Sequence, residues 1–362
     1  MKKVLIAYIM DGKAGGIDRY ILNVFEQAKE ELQIDFLTTN IDNDLKKYLK
    51  NNGSSLFEVP NMKHPISQYK KIKNIIKSNN YDVVYFNIST AIVFSGVFAA
   101  KNAQVKKIII HSHAAGYDCA NKYKRKVFEL SHKVCSKFLY KYGTNFYACS
   151  KLAGEWMFPK KIIESSEFKI VNNAIDTEKF AFDYEKRAIM RSKLGIENNF
   201  VIGHIGNFLY VKNHKFLIEL FKQYLDYNSL AKLLLVGDGP LEPEIVQMAV
   251  DYEVEDKVIF AGRQNESQDY LQAMDVFLLP SHFEGFGIAA VEAQCSGLPC
   301  VMSNNVPNQV AITDKCKFLS LDDNKPWIKA IIDFEVYTRK DNSALISDLG
   351  FALKNQDIKT IL

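Results

Sequence analysis

Short apolar runs alternate with amphipathic stretches along nearly the whole chain. In the first half the runs read KVLIAYI, IDFLT, SLFEV, YDVVYFN and KKIIIHS. Each has the length and the β-branched and aromatic content of a buried strand. Among them lie a helical pattern from Asp18 to Leu32 and a polar helix from Asp44 to Asn51. The second half repeats the scheme. FVIGHIG leads to a helix with Phe216, Leu217, Leu220 and Phe221 on one face, AKLLLVG leads to LEPEIVQMA, and KVIFAG leads to SQDYLQAMD. Strands alternating with helices predict an α/β fold on doubly wound parallel sheets, whose ligands sit at the carboxyl ends of the strands.

The densest pattern runs from Asp275 to Pro307. DVFLLPS reads as a buried strand, and His282 to Gly287 as a loop carrying Glu284 beside Gly285, Phe286 and Gly287. IAAVEAQC reads as a helix stopped by Gly297 and Pro299, and PCVMS as the next strand. A helix start flanked by glycines presents free N–H groups and the positive end of the helix dipole, which suits a phosphate. Glu284 on the loop and Glu292 inside the helix would then serve hydroxyl groups. Taken alone, two glutamates at this spacing more often mark a solvated surface helix, and it is the flanking pattern that favours a site.

The E-x7-E spacing, between a strand and a G-x-P strand entry, closely resembles the donor-site signature of retaining glycosyltransferase family 4. The resemblance implies the GT-B fold, two Rossmann-like doubly wound domains facing each other across a cleft. It implies that Glu292 binds the ribose hydroxyls of a nucleotide sugar and that Glu284 touches the transferred sugar. FKIVNNAIDTEKF, residues 168–180, resembles the family's exit from its first domain. The expected division is an acceptor-binding domain over 1–173, a nucleotide-sugar-binding domain over 174–345, and a helical tail over 346–362 that crosses back to the first domain.

Other positions acquire roles from the same resemblance. The loop DGKAGGIDRY carries Gly12, Gly15 and Gly16 ahead of a helix. Paired glycines let the backbone approach a bulky anion, and the family's glycine loop faces the diphosphate. His111 and His113 end the strand KKIIIHSH. Their spacing is read as placing the rings on opposite faces, one packed and one exposed, so that they do not share a metal. The resemblance gives His113 a contact with the transferred sugar. Lys212 stands just ahead of a helix, where its ammonium can reach a diphosphate. The family usually places an arginine directly after the glycine of this loop, whereas this chain has Asn207. Gly237 and Gly239 form a G-x-G that matches the family. Arg263, at a strand end, lies near the expected nucleobase, with a solvated surface arginine as the alternative.

Charge adds a second theme. The net +4 divides into 27 basic against 15 acidic residues up to 175, and 19 against 27 after it. A basic half suits an anionic surface or substrate. Lys122 to Tyr142 is the most pronounced amphipathic pattern. Lys126, Lys133, Lys137 and Lys141 form one stripe, and Val127, Leu130, Val134, Phe138 and Tyr142 hold another face. That is a basic interfacial helix or a plain solvated one. No apolar run approaches the ~18 to 20 residues that span a bilayer, and MKKVLIAYIMDG reads as a first strand rather than a signal peptide.

Three further patterns carry no site. The six cysteines lack C-x-x-C spacing and read as reduced core residues. Asp42-Asn43-Asp44 has the form D-x-D, but it leads directly into a helix, so Asp42 reads as an N-cap rather than a metal ligand. The lysines of the first half are scattered over several elements without a reading module, which argues against nucleic acid.

These readings converge on a cytoplasmic enzyme held peripherally at the inner face of the plasma membrane. It is expected to move a hexose-type sugar from a nucleotide donor, UDP favoured, to a lipid-linked glycan in bacterial capsule or other surface polysaccharide synthesis. The expectation includes retained configuration and no metal or other cofactor. Lys212, the helix start near Gly287 and the glycines at 15 and 16 would stabilise the leaving group. Asn207 keeps an alternative open, a catalytically silent subunit that binds a partner glycosyltransferase. A nucleotide-sugar epimerase of related fold fits less well, because the chain lacks an evident extra acid/base set.

Overall fold

The computed structural model describes residues 1–12 and 15–362, except the side chains of Lys359 and Thr360. Lys13 and Ala14, in the middle of the glycine loop, lie outside the described residues.

The apolar runs form two parallel sheets. The first contains β1 (Lys3–Ala7), β2 (Gln33–Thr38), β3 (Leu56–Glu58), β4 (Val83–Ile88), β5 (Lys107–Ser112), β6 (Asn145–Ala148) and β7 (Phe168–Ile170). They lie in the order β3-β2-β1-β4-β5-β6-β7. Every pairing is parallel. The direction of winding reverses between β1 and β4. Helices cover both faces, so β4 has no polar side and all six of its residues are buried. Period-two alternation sends Leu5, Val84, Phe86 and Ile110 into one core, and Val4, Ile6, Tyr85 and Ile109 into the other.

The second sheet contains β8 (Val201–Ile205), β9 (Lys232–Val236), β10 (Val258–Phe260), β11 (Val276–Leu279), β12 (Cys300–Ser303) and β13 (Cys316–Leu319). Its order is β10-β9-β8-β11-β12-β13, again all parallel. Here the winding reverses between β8 and β11. Trp327 is wholly buried in this core. Its ring meets Phe216 edge-on at 5.0 Å, and its indole N–H donates to the Ser320 carbonyl at 2.7 Å.

The chain divides into two compact units. One comprises Met1–Tyr117, Asn121–Asn173 and Asp357–Leu362, and the other Asp118–Ala120 and Ala174–Gln356. The tail is not one continuous helix. A short helix at Ser343–Ile346 runs into a turn containing Gly350 at φ 86°. Ala352 then bridges to Ile175, and a last turn, Ile358–Ile361, packs in the first unit. There the Ile361 carbonyl accepts from Tyr147 and Lys107, each at 3.3 Å.

Candidate active site

In the second unit, adjacency of β8 and β11 brings together two loops that are far apart in sequence. Lys212 Nζ lies 2.6 Å from Glu284 Oε1. Ser281 Oγ donates to the same oxygen at 2.7 Å, and Ser303, at the end of β12, donates to the Ser281 carbonyl at 2.6 Å. The His282 N–H donates to the Val211 carbonyl at 2.8 Å, and the rings of Tyr210 and His282 stack at 4.4 Å. Backbone, side-chain and ring contacts therefore hold the ammonium of Lys212 in place. A cation fixed in advance needs little reorganisation when negative charge develops beside it.

The neighbouring loops lie unusually close. A Cβ at Gly237 would stand 2.2 Å from the Gly206 carbonyl oxygen, and one at Gly239 would stand 2.7 Å from that of Phe208. The G-x-G thus lets the loop after β9 rest directly on the loop that carries Asn207. Asn207 is half-buried. Arg263 is exposed in the loop after β10, the edge strand, and lies beside Gly262, whose carbonyl accepts from the Gly237 N–H at 2.9 Å.

Beneath Lys212 sit two histidines that the sequence reading did not single out. His204 Nδ1 donates to the Leu278 carbonyl at 2.8 Å. Burial pushes its pKa down to about 3, so the ring is neutral near pH 7. A Cβ at Gly206 would lie 2.9 Å from its Nε2 and 3.2 Å from Lys212 Cδ, which places glycine, imidazole and lysine stem in contact. His214 opens the helix His214–Tyr224, stacks on Phe208 at 4.0 Å, and has its pKa held well below the usual range by burial. The only signals for these rings were a histidine inside the apolar run IGHIG and another at the helix start KNHKFL.

Downstream of β11, Glu284, Gly285, Phe286 and Gly287 are all buried. Gly287 caps the helix Ile288–Cys295 at φ 96°, a conformation that disfavours any side chain. Glu292 is buried one turn inside that helix. Six of the helix's eight residues are buried, which excludes the solvated surface helix.

The first unit places its candidates at the corresponding edge. Gly15 and Gly16 form the start of the helix Gly15–Ala28, which begins earlier than its periodicity predicted. Gly12 belongs to the loop before it. The buried Asp18 carboxylate ties that loop down by accepting from the N–H groups of Met10, Asp11 and Gly12 at 2.9 to 3.2 Å. Its pKa is raised, chiefly by burial.

The expectation for His111 and His113 is corrected. Their rings lie 4.0 Å apart and both are buried. Side chains two residues apart on a strand share a face, so the rings meet instead of diverging. His113 Nε2 donates to Asn87 Oδ1 at 2.9 Å, and burial lowers its pKa to about 3. His111 Nδ1 pairs with the Tyr85 hydroxyl at 2.5 Å, and Tyr85 in turn pairs with Tyr20 at 2.7 Å. Asp42 caps its helix by accepting from the Leu45 N–H at 2.8 Å. Among the described residues, no three of His, Cys, Asp and Glu are grouped to hold a metal ion. All six cysteines are free thiols, with Cys149, Cys295 and Cys300 buried and the other three half-buried.

Residues 14–179 match the model of Glycosyltransferase Family 4, and residues 186–334 that of Glycosyl transferases group 1. EpsF of Bacillus subtilis (strain 168), a protein of the glycosyltransferase family, is 30% identical over 318 residues, covering 85% of this chain and 81% of EpsF. A UDP-Gal:alpha-D-GlcNAc-diphosphoundecaprenol alpha-1,3-galactosyltransferase of Escherichia coli is 27% identical over 91% of this chain and 87% of its own. Among solved structures, Anabaena HepE in complex with UDP-glucose superposes with a TM-score of 0.79 at 18% identity, over 100% of this chain and 99% of HepE. The chain belongs to the glycosyltransferase family that these two models describe, with two parallel-sheet, Rossmann-like domains of the GT-B fold.

Proposed function

We propose that the protein transfers a hexose-type sugar from a UDP-sugar to a lipid-linked glycan, with retained anomeric configuration, in the synthesis of a bacterial surface polysaccharide. The observation that carries this reading is the Lys212–Glu284 pair at the β8/β11 reversal of the second sheet, beside the helix start at Gly287. Open α/β sheets bind ligands at such a reversal. Lys212 and the N–H groups of that helix start meet the diphosphate. Glu292 takes the ribose hydroxyls, Arg263 and Asn207 complete the donor side, and Glu284 contacts the transferred sugar. The names of the relatives support the donor and acceptor classes: the E. coli enzyme is a UDP-Gal transferase on a diphosphoundecaprenol-linked sugar, and HepE is seen with UDP-glucose.

Lys212 supplies the positive charge a leaving diphosphate needs, so the reaction proceeds without a metal ion. Glu284 is engaged with Lys212 and Ser281, a poor arrangement for a free nucleophile. The acceptor hydroxyl therefore attacks the sugar from the face the diphosphate leaves, and a donor phosphate oxygen takes its proton. A lipid-linked acceptor places the reaction at the inner face of the plasma membrane. The test is proton NMR of turnover with UDP-glucose and UDP-galactose on a lipid-diphosphate-linked GlcNAc acceptor. An α-linked product is expected, and a β-linked one removes the retaining mechanism. No turnover by wild type or by Asn207→Arg favours a silent partner subunit.

A further inference from the structure

The helix Lys122–Leu139 turns its apolar stripe outward. Tyr123 is 83% exposed, Val127 64%, Leu130 65%, Val134 52% and Phe138 51%. At roughly 100° per residue these five fall on one ridge, with Lys126, Lys133 and Lys137 alongside it. The opposite face anchors the helix to its unit. Buried His132 stacks on Trp156 at 3.8 Å, accepts from the Ala91 N–H at 3.0 Å, and donates to the Trp156 carbonyl at 2.8 Å. A helix that offered only lysines to water would have packed its valines and leucine inward. Here the apolar residues and the cations share the solvent side.

We infer that this ridge inserts into the interface of an anionic lipid bilayer, with the flanking lysines against the headgroups. The inference deepens the proposed function, since it names the surface that meets the membrane bearing the acceptor. Charge decides between occupants. The helix carries six Lys and Arg against one Glu, Glu129. A second copy docked on the same face would set like charge against like, whereas an anionic lipid surface neutralises both the lysines and the basic excess of the first half of the chain.

Co-sedimentation of the full chain with vesicles of phosphatidylcholine alone, or with about one third phosphatidylglycerol, tests this. Binding is expected to the anionic vesicles, and part of it should persist in high salt, because apolar insertion is not screened. Leu130→Gln with Val134→Gln should weaken binding about tenfold or more at both salt concentrations, with UDP affinity unchanged. Replacing Lys126, Lys133 and Lys137 with Gln should remove only the salt-sensitive part. A Leu130→Trp probe should shift its emission to the blue on binding. The inference is overturned by no binding at low salt, by wild-type binding in the Leu130/Val134 variant, or by a dimer of the free protein that this variant abolishes. Retained UDP binding in each case would leave the proposed donor chemistry standing.

Discussion

Lys212 and Glu284 are 71 residues of intervening chain apart yet share a hydrogen bond, because each follows a strand at the winding reversal. Both stood out in the sequence as motif positions, and the ion pair between them did not, since strand order is invisible to periodicity. Under the proposed reading, Lys212→Ala removes a preorganised donor to a developing charge, and a loss on the order of 3 kcal/mol or about a hundredfold in kcat is expected. Asn207→Arg adds a permanent charge and should raise kcat unless Arg263 already supplies it; steady-state kinetics on both variants with one confirmed donor measures this. The histidines were the least legible residues. His111 and His113 were assigned to opposite faces through a misread alternation, while His204 gave no signal beyond its apolar neighbours and His214 none beyond its place at a helix start. Their burial predicts a pH dependence. Burial depresses the pKa of all four, that of His113 and His204 to about 3. The unfolded chain therefore binds more protons below its histidine pKa of roughly 6.5. The stability they contribute is full above that pH and is lost as pH falls toward 3, by up to about 1.4 kcal/mol per pH unit for each ring. Denaturant midpoints at pH 7.5, 6 and 5 check it, and His113→Gln should flatten the slope.

Strands and the helices beside them were legible because both faces of each sheet are covered, which leaves unbroken apolar runs. Four helices of the first unit were passed over, the short Lys151–Met157 and Lys160–Ile163 and two longer ones. Phe94–Asn102 reads FSGVFAAKN, small and apolar with little periodicity, because it packs closely enough for a Cβ at Gly96 to meet the Tyr8 hydroxyl at 2.5 Å. Pro65–Asn79 buries only a narrow stripe, Gln68, Ile72, Ile75 and Ile76, among lysines. The tail was expected as a helix and is broken at Gly350. At the site, the G-x-G was too common a pattern to weigh, yet its geometry is demanding. Gly237→Ala should cost roughly 1–3 kcal/mol from backbone strain alone, with the clash against Gly206 in addition, and should weaken UDP binding. Thermal unfolding and titration of the same variant check both parts.

Each sheet carries its candidate residues at its carboxyl edge, Lys212 with Glu284 at the reversal in one, and His113 one strand from the reversal in the other, after β5 and bonded to Asn87 of β4. That polarity follows from parallel strands with right-handed crossovers, so it could be anticipated once two runs of alternating strand and helix were recognised. The assignment of leaving-group charge to Lys212 and backbone donors predicts that turnover survives EDTA. Activity that vanishes with chelator and returns with manganese would reassign that charge. The central claim, that the β8/β11 edge is a nucleotide-sugar site, is tested most directly by calorimetric titration of UDP into the intact protein and into folded Lys212→Ala and Glu292→Ala. Saturable binding by wild type, weakened about tenfold or more in each variant, is the predicted result. No binding of UDP by wild type, or unchanged affinity in both variants, would contradict it.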